Sequence, residues 1–172
     1  MRKSSWIVIV ALVIAGCSGP TAVLPDVERV ELSTSSSHAF TARLSGAEEV
    51  PPADTRARGQ ATFRLSADGT ELAYRLIVAN IENVTMAHIH RAPSGANGPV
   101  VAWLYPGGPP AQLIPGRSQG VLAEGVLTAA NLVGPLAGAS LEDLVAELAA
   151  GNAYVNVHTS QFPAGEVRGQ VR

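Results

Sequence analysis

The chain has 172 residues, with 12 basic and 14 acidic side chains, four histidines and one cysteine. One cysteine excludes an intrachain disulfide and a thiolate metal cluster, so stability has to come from packing. Apart from Arg2 and Lys3, ten basic residues face fourteen acidic ones with no basic cluster among them, which argues against nucleic acid as a partner.

Arg2 and Lys3 followed by the apolar run from Trp6 to Ala15 have the layout of an export signal, too short to span a bilayer as a helix of the mature protein. The ending Ile14-Ala15-Gly16-Cys17 resembles the lipobox of bacterial lipoproteins. That resemblance implies that residues 1–16 are a signal peptide, that Cys17 is lipidated as the mature N-terminus, and that the protein is membrane-anchored in the cell envelope. Residues 17–38, with Pro20, Pro25 and the run Ser33-Thr34-Ser35-Ser36-Ser37, read as a lipid-anchored flexible linker ending at His38. Residues 39–172 remain as one domain, long enough for a single core.

From Phe40 onward the pattern has period two. Phe40, Ala42 and Leu44 alternate with polar residues, as do Ala61, Phe63 and Leu65, and each run predicts a half-buried strand. Asp68-Gly69 predicts a hairpin turn into a strand carrying Leu72, Tyr74, Leu76 and Val78. Pro51 and Pro52 exclude Gly46–Pro52 from a central strand and make it a crossing loop or an edge. Glu48 and Glu49 within it diverge if extended and are expected to be solvated. Met86–His90 forms another strand, a Pro/Gly-rich turn follows, and Val100–Tyr105, apolar on both faces, predicts an interior strand. Pro106–Gly116 reads as a loop, and Gly120–Leu127 as a strand. In Ser140–Ala150 the residues Leu141, Leu144, Val145 and Leu148 have helical spacing, with Ser140 at the N-cap and Gly151 as the stop. Tyr154–His158 and Val167–Arg172 close the chain as strands, and Glu166 and Arg168 are expected to form an exposed ion pair or a cross-strand contact. About eight short strands and one short helix near residues 140–150 describe an all-β fold, a two-sheet antiparallel β-sandwich.

Chemistry concentrates in two of these strands. Alternation puts His88 and His90 on one face with Ile89 on the other, and puts Tyr154, Asn156 and His158 opposite Val155 and Val157. If the aliphatic residues supply core, the three histidines share the polar side. Imidazole suits copper and zinc, so His88, His90 and His158 are candidate metal ligands, Met86 a candidate fourth, and Tyr154 and Asn156 candidate hydrogen-bonding supports. The alternative is that the imidazoles hydrogen-bond the long turns that follow His90 and His158 and hold those loops in place. Ala87–Val100 and Val155–Val167 also echo one another as strand, long turn, strand. No serine elbow, phosphate-binding glycine loop or zinc-protease helix motif appears.

Three ordered blocks carry a family resemblance. Phe40–Pro52, reading FTARLSGAEEVPP, is similar to the opening of a CHRD domain, the module named after chordin. Ala87-His88-Ile89-His90 with Gly95 and Asn97–Val101 resembles its middle, and Leu141–Leu144, Gly151–Thr159 and Gly165–Gln170 resemble its end. The resemblance implies an extracellular or envelope β-sandwich of immunoglobulin-like type, with no settled biochemical activity. The expectation is therefore a non-enzymatic envelope lipoprotein with a ligand-binding domain. Its surface histidines hold one copper or zinc ion, or the domain is a metal-free module that binds an extracytoplasmic protein.

Overall fold

Strand β3 (Leu72–Arg91) runs for 20 residues, and the rest of the sheet is assembled around it. The computed structural model describes residues 38–172, so the expected signal peptide, Cys17 and the expected linker up to residue 37 lie outside the described residues. The first half of β3 pairs with β2 (Arg58–Leu65) across the Asp68-Gly69 turn, and on its other side with β5 (Ile114–Leu127). Its second half pairs with β4 (Val100–Tyr105) and with β6 (Ala153–Thr159). Strand β6 continues to β7 (Val167–Gln170), β7 to β1 (Ala39–Ser45), and β1 back to β2.

Because β2 also pairs with β3, the order β2-β1-β7-β6-β3 closes into a five-stranded barrel, with β4 and β5 as extra strands on β3. The all-β class and the single short helix agree with the sequence pattern, whereas the two-sheet sandwich does not. Alternation identifies a core face but does not distinguish two stacked sheets from one that curls onto itself. The curl comes from β3. Asn80 and Asn83, with φ of 57° and 54°, take the left-handed conformation that asparagine tolerates better than most residues. They bend the strand where the sequence suggested a break, so its two halves serve different neighbours.

Two further expectations change. β4 ends the strand order instead of lying inside it. Its free edge is met by residues 132–133, through an Ala102–Leu132 bridge and a hydrogen bond from Val133 N–H to the Val101 carbonyl, 2.9 Å. β5 begins at Ile114, within the stretch read as a loop.

The helix forms where the spacing placed it. In α1 (Leu141–Ala149) Ser140 Oγ accepts from Asp143 N–H while the Asp143 carboxylate accepts from Ser140 N–H, and Leu141, Leu144 and Leu148 face the core. No helix among the described residues is long and apolar enough to cross a membrane. His38 is exposed and stacks on Phe40, away from the other histidines.

Barrel closure depends on one glycine. β1 crosses β7 so tightly that a β-carbon on Gly169 would strike the Arg43 carbonyl and approach Leu44 N to 3.1 Å. Backbone on both sides leaves nothing flexible to yield. Gly169→Ala is therefore expected to destabilise the domain by at least about 1–3 kcal/mol, measured by chemical denaturation; an unchanged midpoint contradicts this closure.

Candidate metal centre

Strands β3 and β6 bring the two histidine segments side by side in antiparallel register, as two adjacent hairpins. Met86 stands opposite His158, His88 opposite Asn156, and His90 opposite Tyr154. Ile89, Val155 and Val157 point into the barrel core with no exposure, so the histidines lie on the other face. That face is not solvated. His88, His90 and His158 are 3%, 9% and 6% exposed, buried instead of at the surface, because the loops 46–55, 92–99 and 160–166 fold over them.

The rings converge. One nitrogen from each histidine lies within 4.8 Å of those of the other two. His88 Nδ1 and His158 Nε2 are 3.3 Å apart. Two nitrogens each about 2.0–2.1 Å from a tetrahedral ion stand roughly 3.4 Å apart, so this pair already has metal-site spacing. The opposite nitrogens are engaged by the loops. His90 Nδ1–H donates to the Gly98 carbonyl, 2.9 Å, and His158 Nδ1–H donates to the Pro163 carbonyl, 3.0 Å. Each bond fixes a tautomer and leaves Nε2 with its lone pair. His158 Nε2 then accepts from His88 Nδ1–H. The two remaining nitrogens, His88 Nε2 and His90 Nε2, are buried with no hydrogen-bond partner.

The expected supports are present with more specific roles. The Tyr154 ring stacks on His90 at 4.8 Å between centroids, and its hydroxyl accepts from Gly98 N–H. Asn156 Nδ2 donates to Glu49 Oε2, 3.4 Å. Trp103, opposite His88 on β4, sets its ring edge-on against that imidazole at 4.2 Å. Met86 is half-buried.

Several participants escaped the sequence reading. Arg168 and Glu166 are buried and form no exposed pair. The Arg168 guanidinium lies 3.5 Å from the Tyr154 ring centroid and donates to the Ala96 carbonyl and to Asn97 Oδ1, while Asn97 Nδ2 donates to the Val50 carbonyl. The Glu166 carboxylate accepts from Thr55 and Thr159, both at 2.7 Å. Glu49, expected in solvent, is 6% exposed. Alternation held the signal for Arg168: Val167 faces the core, so Arg168 shares the face of Asn156, its partner on β6. No local pattern marked Glu49, because its burial depends on loops meeting across the barrel wall.

Burial keeps the imidazoles neutral. It pushes His88 down to about 3, with the neighbouring His158 and His90 adding to the effect, and His90 down to about 4 despite the Gly98 hydrogen bond. His158 is lowered as well, again by burial. Burial pushes Glu49 up to about 7, against the opposing pull of Arg168.

The described chain is thus a small all-β barrel with a buried polar face on which three neutral imidazoles meet. The family model for the CHRD domain matches residues 40–171, and the chain belongs to that family. No curated protein and no solved structure matches it.

Stability should depend on pH through these groups. Each histidine takes a proton more readily unfolded than folded, so its contribution is full above about 6.5 and is lost as pH falls toward about 4 for His90 and about 3 for His88. Glu49 works oppositely: its contribution is full below 4.5 and is lost as pH rises through about 7. Between 4.5 and 6.5 three histidines outweigh one carboxyl. The melting temperature of metal-free protein is expected to fall as pH is lowered across that window; a flat or rising profile contradicts the buried neutral cluster.

Proposed function

We propose that this CHRD domain is a non-enzymatic binding module that holds one transition-metal ion, copper or zinc, through His88, His90 and His158. The carrying observation is the approach of one nitrogen from each ring to within 4.8 Å, with the loop carbonyls of Gly98 and Pro163 occupying the opposite nitrogens of two of them. That arrangement, in which a ligating imidazole donates its other N–H to a carbonyl, is what orients histidines in metal sites. An ion replacing the His88–His158 hydrogen bond would ligate both rings, the His88 proton moving from Nδ1 to the bare Nε2, and would also give the bare His90 Nε2 a partner. Three imidazoles leave a fourth position, which the Met86 thioether or an outside ligand would fill. The module is exported and anchored to a membrane of the cell envelope through a lipid on Cys17. The buried carboxylates of this face are committed, Glu166 to two threonines and Glu49 to Asn156, which favours binding over catalysis.

A second reading rests on the same carbonyl bonds. If holding the Arg91–Pro99 and Thr159–Gly165 loops is all that the histidines do, those loops form a contact surface for a protein partner of the envelope and no metal is needed.

Titration distinguishes the two. In protein beginning at Cys17, Trp103 is the sole tryptophan, and its ring abuts His88. Addition of Cu(II) is expected to quench Trp103 fluorescence with an endpoint at one equivalent, and Zn(II) to compete for the same site. His90→Ala and His158→Ala should remove the saturable phase while leaving the circular dichroism spectrum of a β-barrel. Unsaturable quenching, or quenching unaffected by either substitution, rules out the metal site and leaves the loop-holding role.

A further inference from the structure

Glu49 is the buried ionisable group that the metal reading leaves unused. It sits in the loop that joins the paired neighbours β1 and β2, and its environment contains a conflict. Glu49 Oε1 and Asn156 Oδ1 are both buried without a hydrogen-bond partner. Both lie against Gly165, where an added β-carbon would come within 2.6 Å of the first and 2.5 Å of the second. The other halves of the two groups already meet, through Asn156 Nδ2 donating to Glu49 Oε2 at 3.4 Å. With Glu49 ionised, two bare acceptors would be buried side by side at a full desolvation cost. A single proton on Oε1 removes the conflict by donating to Asn156 Oδ1, and the two side chains then form a doubly hydrogen-bonded acid–carboxamide ring.

Burial favours that proton, against the pull of Arg168, the Val50 N–H and Asn156. The ionisable groups sharing this face are Arg168 on β7 and Glu166 just before it, His88 and His90 on β3, and Tyr154 and His158 on β6; Glu48, beside Glu49 in the chain, is exposed. Arg168 favours the ionised form, yet its guanidinium is directed to the Ala96 carbonyl, Asn97 and the Tyr154 ring, and it makes no ion pair with Glu49. The pair also lies next to the histidine site. Asn156 stands directly opposite His88 on one side and Arg168 on the other, so Glu49, Asn156 and His88 are consecutive neighbours across the sheet face.

We propose that Glu49 is the charge-balancing residue of the histidine site, a neutral acid paired with Asn156 while the site is empty and a carboxylate once a cation is held there. The step balances simply: the ion enters with its charge, the Glu49 Oε1–H bond breaks, and the proton leaves to water. Low dielectric makes the exchange favourable, because a fixed negative charge near a buried cation offsets part of its lost hydration. The pairing of Glu49 with Asn156 stands on its own, whereas the release of the proton rests on the metal reading above.

Two measurements separate those parts. The first is carbon-13 NMR of the glutamate side-chain carboxyls in metal-free wild-type protein, followed against pH. Glu49 is expected to titrate apart from the other glutamates, near pH 7; titration together with them overturns the acid–carboxamide pair. The second is calorimetric titration with Zn(II) in buffers of different ionisation enthalpy, at about pH 6, comparing wild type with Glu49→Gln. Glutamine preserves the shape and, having both a donor and an acceptor, both contacts with Asn156. Proton release per zinc is expected to be greater in wild type by a value approaching one, any contribution from zinc-bound water being common to both. Equal release from the two proteins overturns the charge-balancing role with the metal site intact. Absence of zinc binding overturns the metal reading and the release together, while the NMR titration still decides the pair.

Discussion

The hydrogen bonds from His90 to the Gly98 carbonyl and from His158 to the Pro163 carbonyl determine what the polar face of this barrel can do. A neutral imidazole has one donor and one acceptor. Once a loop carbonyl has taken the donor at Nδ1, the acceptor at Nε2 points elsewhere, and at His158 that acceptor meets the His88 ring at 3.3 Å. The same bonds anchor the covering loops, so orienting the rings and excluding water are one structural act. Gly98 contributes both polar groups of its backbone, the carbonyl to His90 and the N–H to the Tyr154 hydroxyl. A β-carbon at Gly98 would collide with the Arg91 carbonyl, so a larger residue there would move both contacts.

This arrangement costs stability, and the barrel has to sustain it. Each bare buried imidazole nitrogen forfeits about 1–3 kcal/mol relative to a satisfied one, and His88 Nε2 and His90 Nε2 are both in that condition. The conventional polar groups nearby are, by contrast, well satisfied: Glu166 by two threonine hydroxyls, Arg168 by loop oxygens and an aromatic face, Gln170 by the Ala92 and Gly151 carbonyls. Unmet hydrogen-bonding capacity among the described buried side chains is concentrated at the histidines and at the Glu49–Asn156 pair, apart from one oxygen of Glu147. The residual cost is thus collected on one face of the sheet.

How far the sequence revealed this follows from the range of the interactions involved. Facing was legible because alternation is local: Ile89, Val155 and Val157 as core fixed the side taken by His88, His90 and His158. The helix was legible because Ser140 and Asp143 cap it within one turn. Barrel closure was not, since it depends on a close crossing at Gly169, which leaves no mark on the period-two pattern, and on a bend at Asn80 and Asn83, which reads locally as a break between two strands. Burial of the histidine face was missed for a related reason. Alternation separates a core side from another side, and whether that other side meets water depends on where the loops go. Asn97 bonding the Val50 carbonyl, and Thr55 bonding Glu166, are contacts between residues 47 and 111 positions apart, which no local window contains.

The account therefore turns on which nitrogen of each ring carries the proton before any ion arrives. Long-range proton–nitrogen NMR correlation of the imidazoles in metal-free protein, near pH 7, reads this directly. His90 and His158 are predicted to be neutral and protonated at Nδ1, each with a bare Nε2. Nε2-protonated rings, or imidazolium, at either position would contradict it, because the nitrogens meant for a ligand would then already be occupied.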